Sequence, residues 1–183
     1  MSIKRFNPTC AAARVCCIMS TCGHTRVNLI VRQWRFLVAL QKRGKFRYGQ
    51  SQSDIRDELL RYSKSNAYLA HHFADAVCVC GATKFRLSID DSEGAAVRTC
   101  VACKMEHPIG DSNEYLDEAD LEECSCPCSN EEFEITVGVS LYEGSDDVKW
   151  LYLGCRCPKC GLTATYGDWK NEYIGYQELL ARV

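Results

Sequence analysis

The chain has 183 residues, 14 of them Cys, and a formal net charge of −2. That length holds one ordinary domain or several small ones, and without an apolar run of eighteen residues the sequence offers no membrane span. The charge is unevenly divided. Residues 1–65 carry 13 Lys+Arg and 3 Asp+Glu, whereas residues 66–183 carry 9 and 21.

Residues 1–52 read as a basic arm. Its first fifty residues have ten Lys+Arg and no acid. Val27, Ile30, Val31, Trp34, Leu37 and Val38 follow helical spacing and predict a basic amphipathic helix, with "QKRGKFRYGQSQS" after it as linker. Three readings of the arm stay open. Arg35, Lys42, Arg43, Lys45, Phe46, Arg47 and Tyr48 interleave cations with aromatics, as segments that bind nucleic acid do. An acid-free, Arg-rich start is similar to an organelle presequence. The third reading is a disordered segment, or one lying upstream of the native start. Cys10, Cys16, Cys17, Cys22 and His24 are candidates for a third metal site, at a spacing that matches no established pattern.

A helix is expected over 53–76. Ser53 or Asp54 would cap it, Asp57 and Glu58 suit its first turn, and Ile55, Leu59, Tyr62, Leu69 and Phe73 supply an apolar stripe. From Cys78 the period becomes two. Phe85, Leu87 and Ile89 alternate with polar residues and mark a half-buried strand, "DDSEG" is a turn, and "AAVRTC" returns to Cys100. The acidic stretch to Glu123 reads as a short helix. The pattern then restarts with Phe133, Ile135, Val137, Val139 and Leu141, turns at "EGSDD" and returns to Cys157. "DWKNEYIGYQELLARV" is expected to close the chain with a helix.

"VCVCGATKF" and "SCPCSNEEF" share one frame, Cys-x-Cys, four residues, Phe. Placing Cys78 on Cys126 puts Cys80 on Cys128. With a longer second hairpin, Cys100 and Cys103 fall on Cys157 and Cys160, and Asp111 on Asp168. This is an internal duplication of a unit of about fifty residues. Close Cys pairs bridge poorly to each other but converge well on one ion, and no signal peptide is evident. Zinc in a reducing, cytoplasmic setting is therefore favoured over a disulfide scaffold. A hairpin with a tight turn at each open end can aim four sulfurs at one point. The expected ligands are Cys78, Cys80, Cys100 and Cys103 for one zinc, and Cys126, Cys128, Cys157 and Cys160 for a second. Gly81 and Gly161 would give the turns positive φ.

"CPKCG", together with "CVCG", resembles the zinc-ribbon family over roughly residues 77–170. The resemblance implies the zinc-ribbon fold and a bound metal; with the helices read above, the expectation is an α+β protein with an N-terminal helical segment and two tandem zinc ribbons, 77–123 including its acidic helical tail and 124–183 including the C-terminal helix. In such small units the metal is expected to stand in for a core. The family serves many unrelated roles, so the resemblance does not name one.

Cys124 and Cys155 break the repeat, standing where the first copy has Ala76 and Arg98. If the copies superpose, these two Cys lie near each other as buried thiols, alternate ligands or an oxidisable pair. His107 is a weaker ligand candidate, and adjacent His71 and His72 point apart on the expected helix. Trp150, Tyr152, Tyr166 and Trp169 suit either a partner contact or packing between ribbons. No catalytic triad, phosphate loop or nucleotide fingerprint stands out. The expectation is a non-enzymatic zinc module that contacts a protein partner. A nucleic-acid-binding protein and a thiol redox protein are the alternatives.

Overall fold

The computed structural model describes residues 40–183, a mixed helix-and-strand body made mostly of antiparallel sheet. In chain order its elements are β1 (Gln41–Arg43), β2 (Phe46–Tyr48), α1 (Ser53–Ser65), β3 (His72–Asp75), β4 (Phe85–Asp90), β5 (Ala95–Cys100), β6 (Glu106–Pro108) and β7 (Glu122–Glu123). The second copy supplies β8 (Glu134–Leu141), β9 (Val148–Arg156), β10 (Leu162–Lys170) and α2 (Tyr176–Leu180). They form a six-stranded sheet ordered β1-β2-β10-β9-β8-β3 and a four-stranded sheet ordered β6-β5-β4-β7. Among the described residues no helix is long and apolar enough to cross a membrane.

The strand register repeats between the copies. Phe85 faces Cys100, and the pairing of Glu134 with Arg156 carries the same offset to Phe133 and Cys157. Thr99 faces Glu106 as Arg156 faces Thr163. Side chains alternate faces every residue, so a conserved offset aims equivalent side chains the same way in both copies. The copies are also joined at equivalent positions. Phe85 N–H donates to Phe133 O at 2.9 Å and Phe133 N–H to Phe85 O at 2.8 Å. Both rings are fully buried in one core that spans both sheets and includes Leu87, Ile135, Val137, Leu151, Leu153 and Leu179. Burying each such ring contributes about 1.5–3 kcal/mol. The expectation that a metal stands in for a core is thus corrected, because the two copies pool their apolar faces.

Several boundaries differ from the sequence reading. The helix expected over 53–76 stops at Ser65. Asn66 N–H caps the Tyr62 and Ser63 carbonyls, Ala67 takes a left-handed φ of 65°, and Ser63 Oγ accepts the Ala70 N–H at 3.1 Å. His72–Asp75 then pairs with Val139–Thr136 as an edge strand. Here sheet pairing outweighs weak local helix preference. The "linker" is a hairpin that adds to β10, with Tyr48 opposite Leu162 and Arg47 opposite Thr163. The acidic helical tail is one 3-10 turn at Ser112–Glu114 followed by turns and β7. The closing helix is shortened to Tyr176–Leu180, because Asp168 and Trp169 belong to β10. The expected helix around Val27–Val38 lies outside the described residues.

Helix α1 is held over β8 and β9 by its buried stripe, Ile55 and Leu59, and by hydrogen bonds at its C-terminal end. Asp168 accepts from Tyr62 Oη (2.9 Å), Asn66 Nδ2 (3.0 Å) and Trp150 Nε1 (2.9 Å). The buried Glu58 carboxylate pairs with Arg61 and with Arg47 of β2 at 3.2 Å, tying the hairpin to the helix. The helix lies so close that a Cβ on Gly154 would sit 2.4 Å from Ile55 Cγ2. Gly154→Ala is therefore expected to lower stability by about 1–3 kcal/mol, read as an earlier denaturant midpoint. An unchanged midpoint would show that α1 is not seated on this strand.

Candidate metal centres

Four tight turns carry the sulfur ligands, and they match in pairs. In the Cys-x-Cys turns, Cys78 N–H donates to Ala82 O and Cys126 N–H to Asn130 O, both at 2.8 Å. Gly81 and Ser129 occupy the same left-handed position, with φ of 84° and 62°. In the Cys-x-x-Cys turns, Lys104 N–H reaches Cys100 O at 2.9 Å and Gly161 N–H reaches Cys157 O at 2.8 Å, with φ of 65° and 80°. Only one member of each pair is Gly. The sequence signalled two of these bends and hid the other two behind Ser129 and Lys104.

The turns bring Cys78, Cys80, Cys100 and Cys103 into one group and Cys126, Cys128, Cys157 and Cys160 into another. Within each group all Sγ atoms lie within 4.8 Å of one another. Cys78–Cys103 are 3.5 Å apart, and Cys80–Cys100, Cys126–Cys160 and Cys128–Cys157 are each 3.6 Å apart. A tetrahedron with metal–sulfur bonds of 2.3 Å has edges of about 3.8 Å. Both groups therefore have the donor set and approximate size for one four-coordinate ion each. The ten cysteines of the described region are all free thiols. In each group two are buried, one on each turn, and Cys80, Cys103 and Cys160 are exposed.

The electrostatics fit a cation. The Cys103 backbone N–H holds the Cys100 thiol down to about 6, against the opposing effect of burial. Burial, reinforced by the sulfurs of Cys128, Cys160 and Cys157, pushes Cys126 up. Four thiols in one such space cannot all ionise without a compensating charge.

Arg98, which the sequence marked only as the counterpart of Cys155, gives a second indication. It is 4% exposed, its Nε and Nη1 have no hydrogen-bond partner, and its guanidinium lies 4.6 Å over the Phe85 ring. Burial lowers its pKa, and Cys78 and Cys100 raise it. A buried cation needs an opposite charge, and a divalent ion held by four thiolates would supply one, with a net charge of −2. His107 is not a member of the sulfur group, but its Nε2 lies 3.8 Å from Cys78 Sγ.

The second centre has different neighbours. Cys155 is fully buried, and burial together with nearby Cys124 raises its pKa well above the ordinary value. Neither Cys124 nor Cys155 belongs to a sulfur group. His72 stacks on Tyr176 at 3.9 Å, which is a packing role. Tyr152 and Trp169 are buried, Trp150 stacks on Tyr68, and Tyr166 meets Phe133 edge-on, so the proposed contact aromatics are packing groups. Cys10, Cys16, Cys17, Cys22, His24 and Arg35 lie outside the described residues.

No protein-family model matches the chain, and no curated protein or solved structure matches it significantly.

Binding requires deprotonated sulfur, so metal affinity falls as pH is lowered. Cys78→Ser or Cys126→Ser is expected to reduce the metal content from two ions to one, measured by elemental analysis. Unchanged content would exclude that cysteine as a ligand. Arg98→Met should weaken the first centre about tenfold in a chelator competition and leave the second unchanged. Equal weakening of both would mean that Arg98 acts through the common core.

Proposed function

We propose that the chain is a tandem zinc-ribbon protein, a non-enzymatic module in which two structural zinc ions hold a surface for binding another protein. The observation that carries this reading is that each group gathers four cysteine sulfurs, enough to fill a four-coordinate site with thiolates. A catalytic zinc keeps one position open for water or substrate, whereas a structural one fills all four with protein. Repeated turns, repeated register and hairpins with a third strand support the ribbon assignment. The preference for zinc rests on the all-sulfur tetrahedral set, which suits that ion or iron. Free thiols of this kind persist in a reducing compartment such as the cytoplasm. Each zinc contributes on the order of 10–16 kcal/mol of apparent binding free energy that is coupled to folding.

The nucleic-acid alternative has less support. On the β1–β2 hairpin, Phe46 and Tyr48 pack against the core, Arg47 pairs with Glu58, and Arg43 lies 4.9 Å over the Tyr48 ring. The aromatic faces that would stack on bases are thus engaged within the protein. A thiol redox role requires active metal-free protein.

The test is elemental analysis with native mass spectrometry of chain purified under reducing conditions. The expected result is two zinc ions per chain, a stoichiometric protein partner, and a cooperative unfolding transition that moves to markedly lower temperature after chelation, because the shared apolar core remains. A metal-free chain that melts unchanged overturns the structural-zinc reading. Binding to mixed DNA or RNA that weakens steeply with salt would transfer the function to nucleic acid.

A further inference from the structure

The internal duplication shows which surface of the first copy lacks a cover that the second copy has. In the second copy, β2 borders β10. Tyr48 faces Leu162, Arg47 faces Thr163, and Gly49 N–H donates to Gly161 O at 2.8 Å. Strand β6 holds the corresponding place in the first copy, so Lys104, Met105 and Glu106 match Gly161, Leu162 and Thr163. Strand β6 is an edge strand, and among the described residues nothing pairs with its outer side.

That edge has usable polarity. Cys100 N–H donates to Met105 O and Ile109 N–H to Ala96 O, which turns positions 105 and 109 toward β5. Antiparallel alternation then points the N–H and C=O of Glu106 outward. Pro108, the next outward position, has no N–H and ends further pairing. The free edge is thus about as long as the one β2 uses on β10.

The surroundings also differ between the copies. Leu162 is 4% exposed beside β2, but its counterpart Met105 is 48% exposed, and Val79 on the neighbouring turn is 80% exposed. Residues 77–123 carry four Lys+Arg against eleven Asp+Glu. The three-residue strand seated on the equivalent edge is Phe-Arg-Tyr.

We propose that Lys104–Glu106, with Val79 and Met105, is a docking edge for an extended segment of a partner protein. That segment carries a cationic residue between two bulky apolar or aromatic ones. It adds antiparallel to β6 as Phe46–Tyr48 adds to β10, its main chain pairing with Glu106 and its flanking side chains covering Met105 and Val79. This rests on the adaptor reading and supplies its surface and partner chemistry.

The test uses the full metal-loaded chain, isotope-labelled for amide NMR, and a synthetic peptide of the chain's own residues 44–50, GKFRYGQ. Expected are saturable shifts and slowed exchange centred on Lys104–Glu106. Affinity should fall about tenfold for Glu106→Pro, and equally for a peptide N-methylated at its arginine, a change that leaves the protein intact. No binding at millimolar peptide, shifts confined to Leu162 and Thr163, or equal binding of the N-methylated peptide would overturn the proposal. Dimerisation of the chain through these amides without peptide would also overturn it, assigning the edge to a second copy. If the peptide fails while a stoichiometric partner still co-purifies, only this edge is wrong. If both fail, the adaptor reading falls with it.

Discussion

Four sulfurs within 4.8 Å of one another form an unstable neighbourhood unless a cation shares it. As thiolates they repel, and as thiols they place weak donors side by side for little gain. The rest of the described fold is consistent with enforcing this crowding twice. Backbone hydrogen bonds fix each turn, hairpins bring the turns together, and the left-handed residues let the main chain pass beneath the sulfurs. Near the first centre a buried guanidinium makes the same demand from the other side, since Arg98 is hard to account for without an anionic neighbour.

The two copies have kept this frame while diverging around it. The second copy recruits residues 40–66, with β2 along its third strand and α1 across its hairpin. The first copy has only a short third strand ended by Pro108 and an acidic run of turns. Arg98 in one copy and Cys155 in the other occupy equivalent strand positions, one a buried charge and the other a buried neutral thiol. Among the described residues this leaves one unit with its third strand covered and one whose third strand is an unpaired edge.

The cysteine frame was legible in the sequence because ligand spacing is local and the repeat wrote it twice. The alternation after Phe85 and Phe133 gave the hairpins for the same reason. What was hidden depended on distant contacts. Leu69 and Phe73 satisfy a helical stripe, yet His72–Asp75 finds a better partner in β8. The hairpin at 41–48 has linker composition, and its order comes from β10 and from Glu58. Asp168 belongs to a plausible helix start until three donors claim it within a strand. Arg98 had no sequence signal beyond its mismatch with Cys155, because burial of a cation is a property of the assembled core.

The hydrogen bonds between Phe85 and Phe133 are reciprocal. They link the same position of each repeat to itself, the signature of a contact with local two-fold symmetry. Joined in one chain, the halves need not share one sequence, and a buried charge, Arg98, stands beside one centre where the other has Cys155.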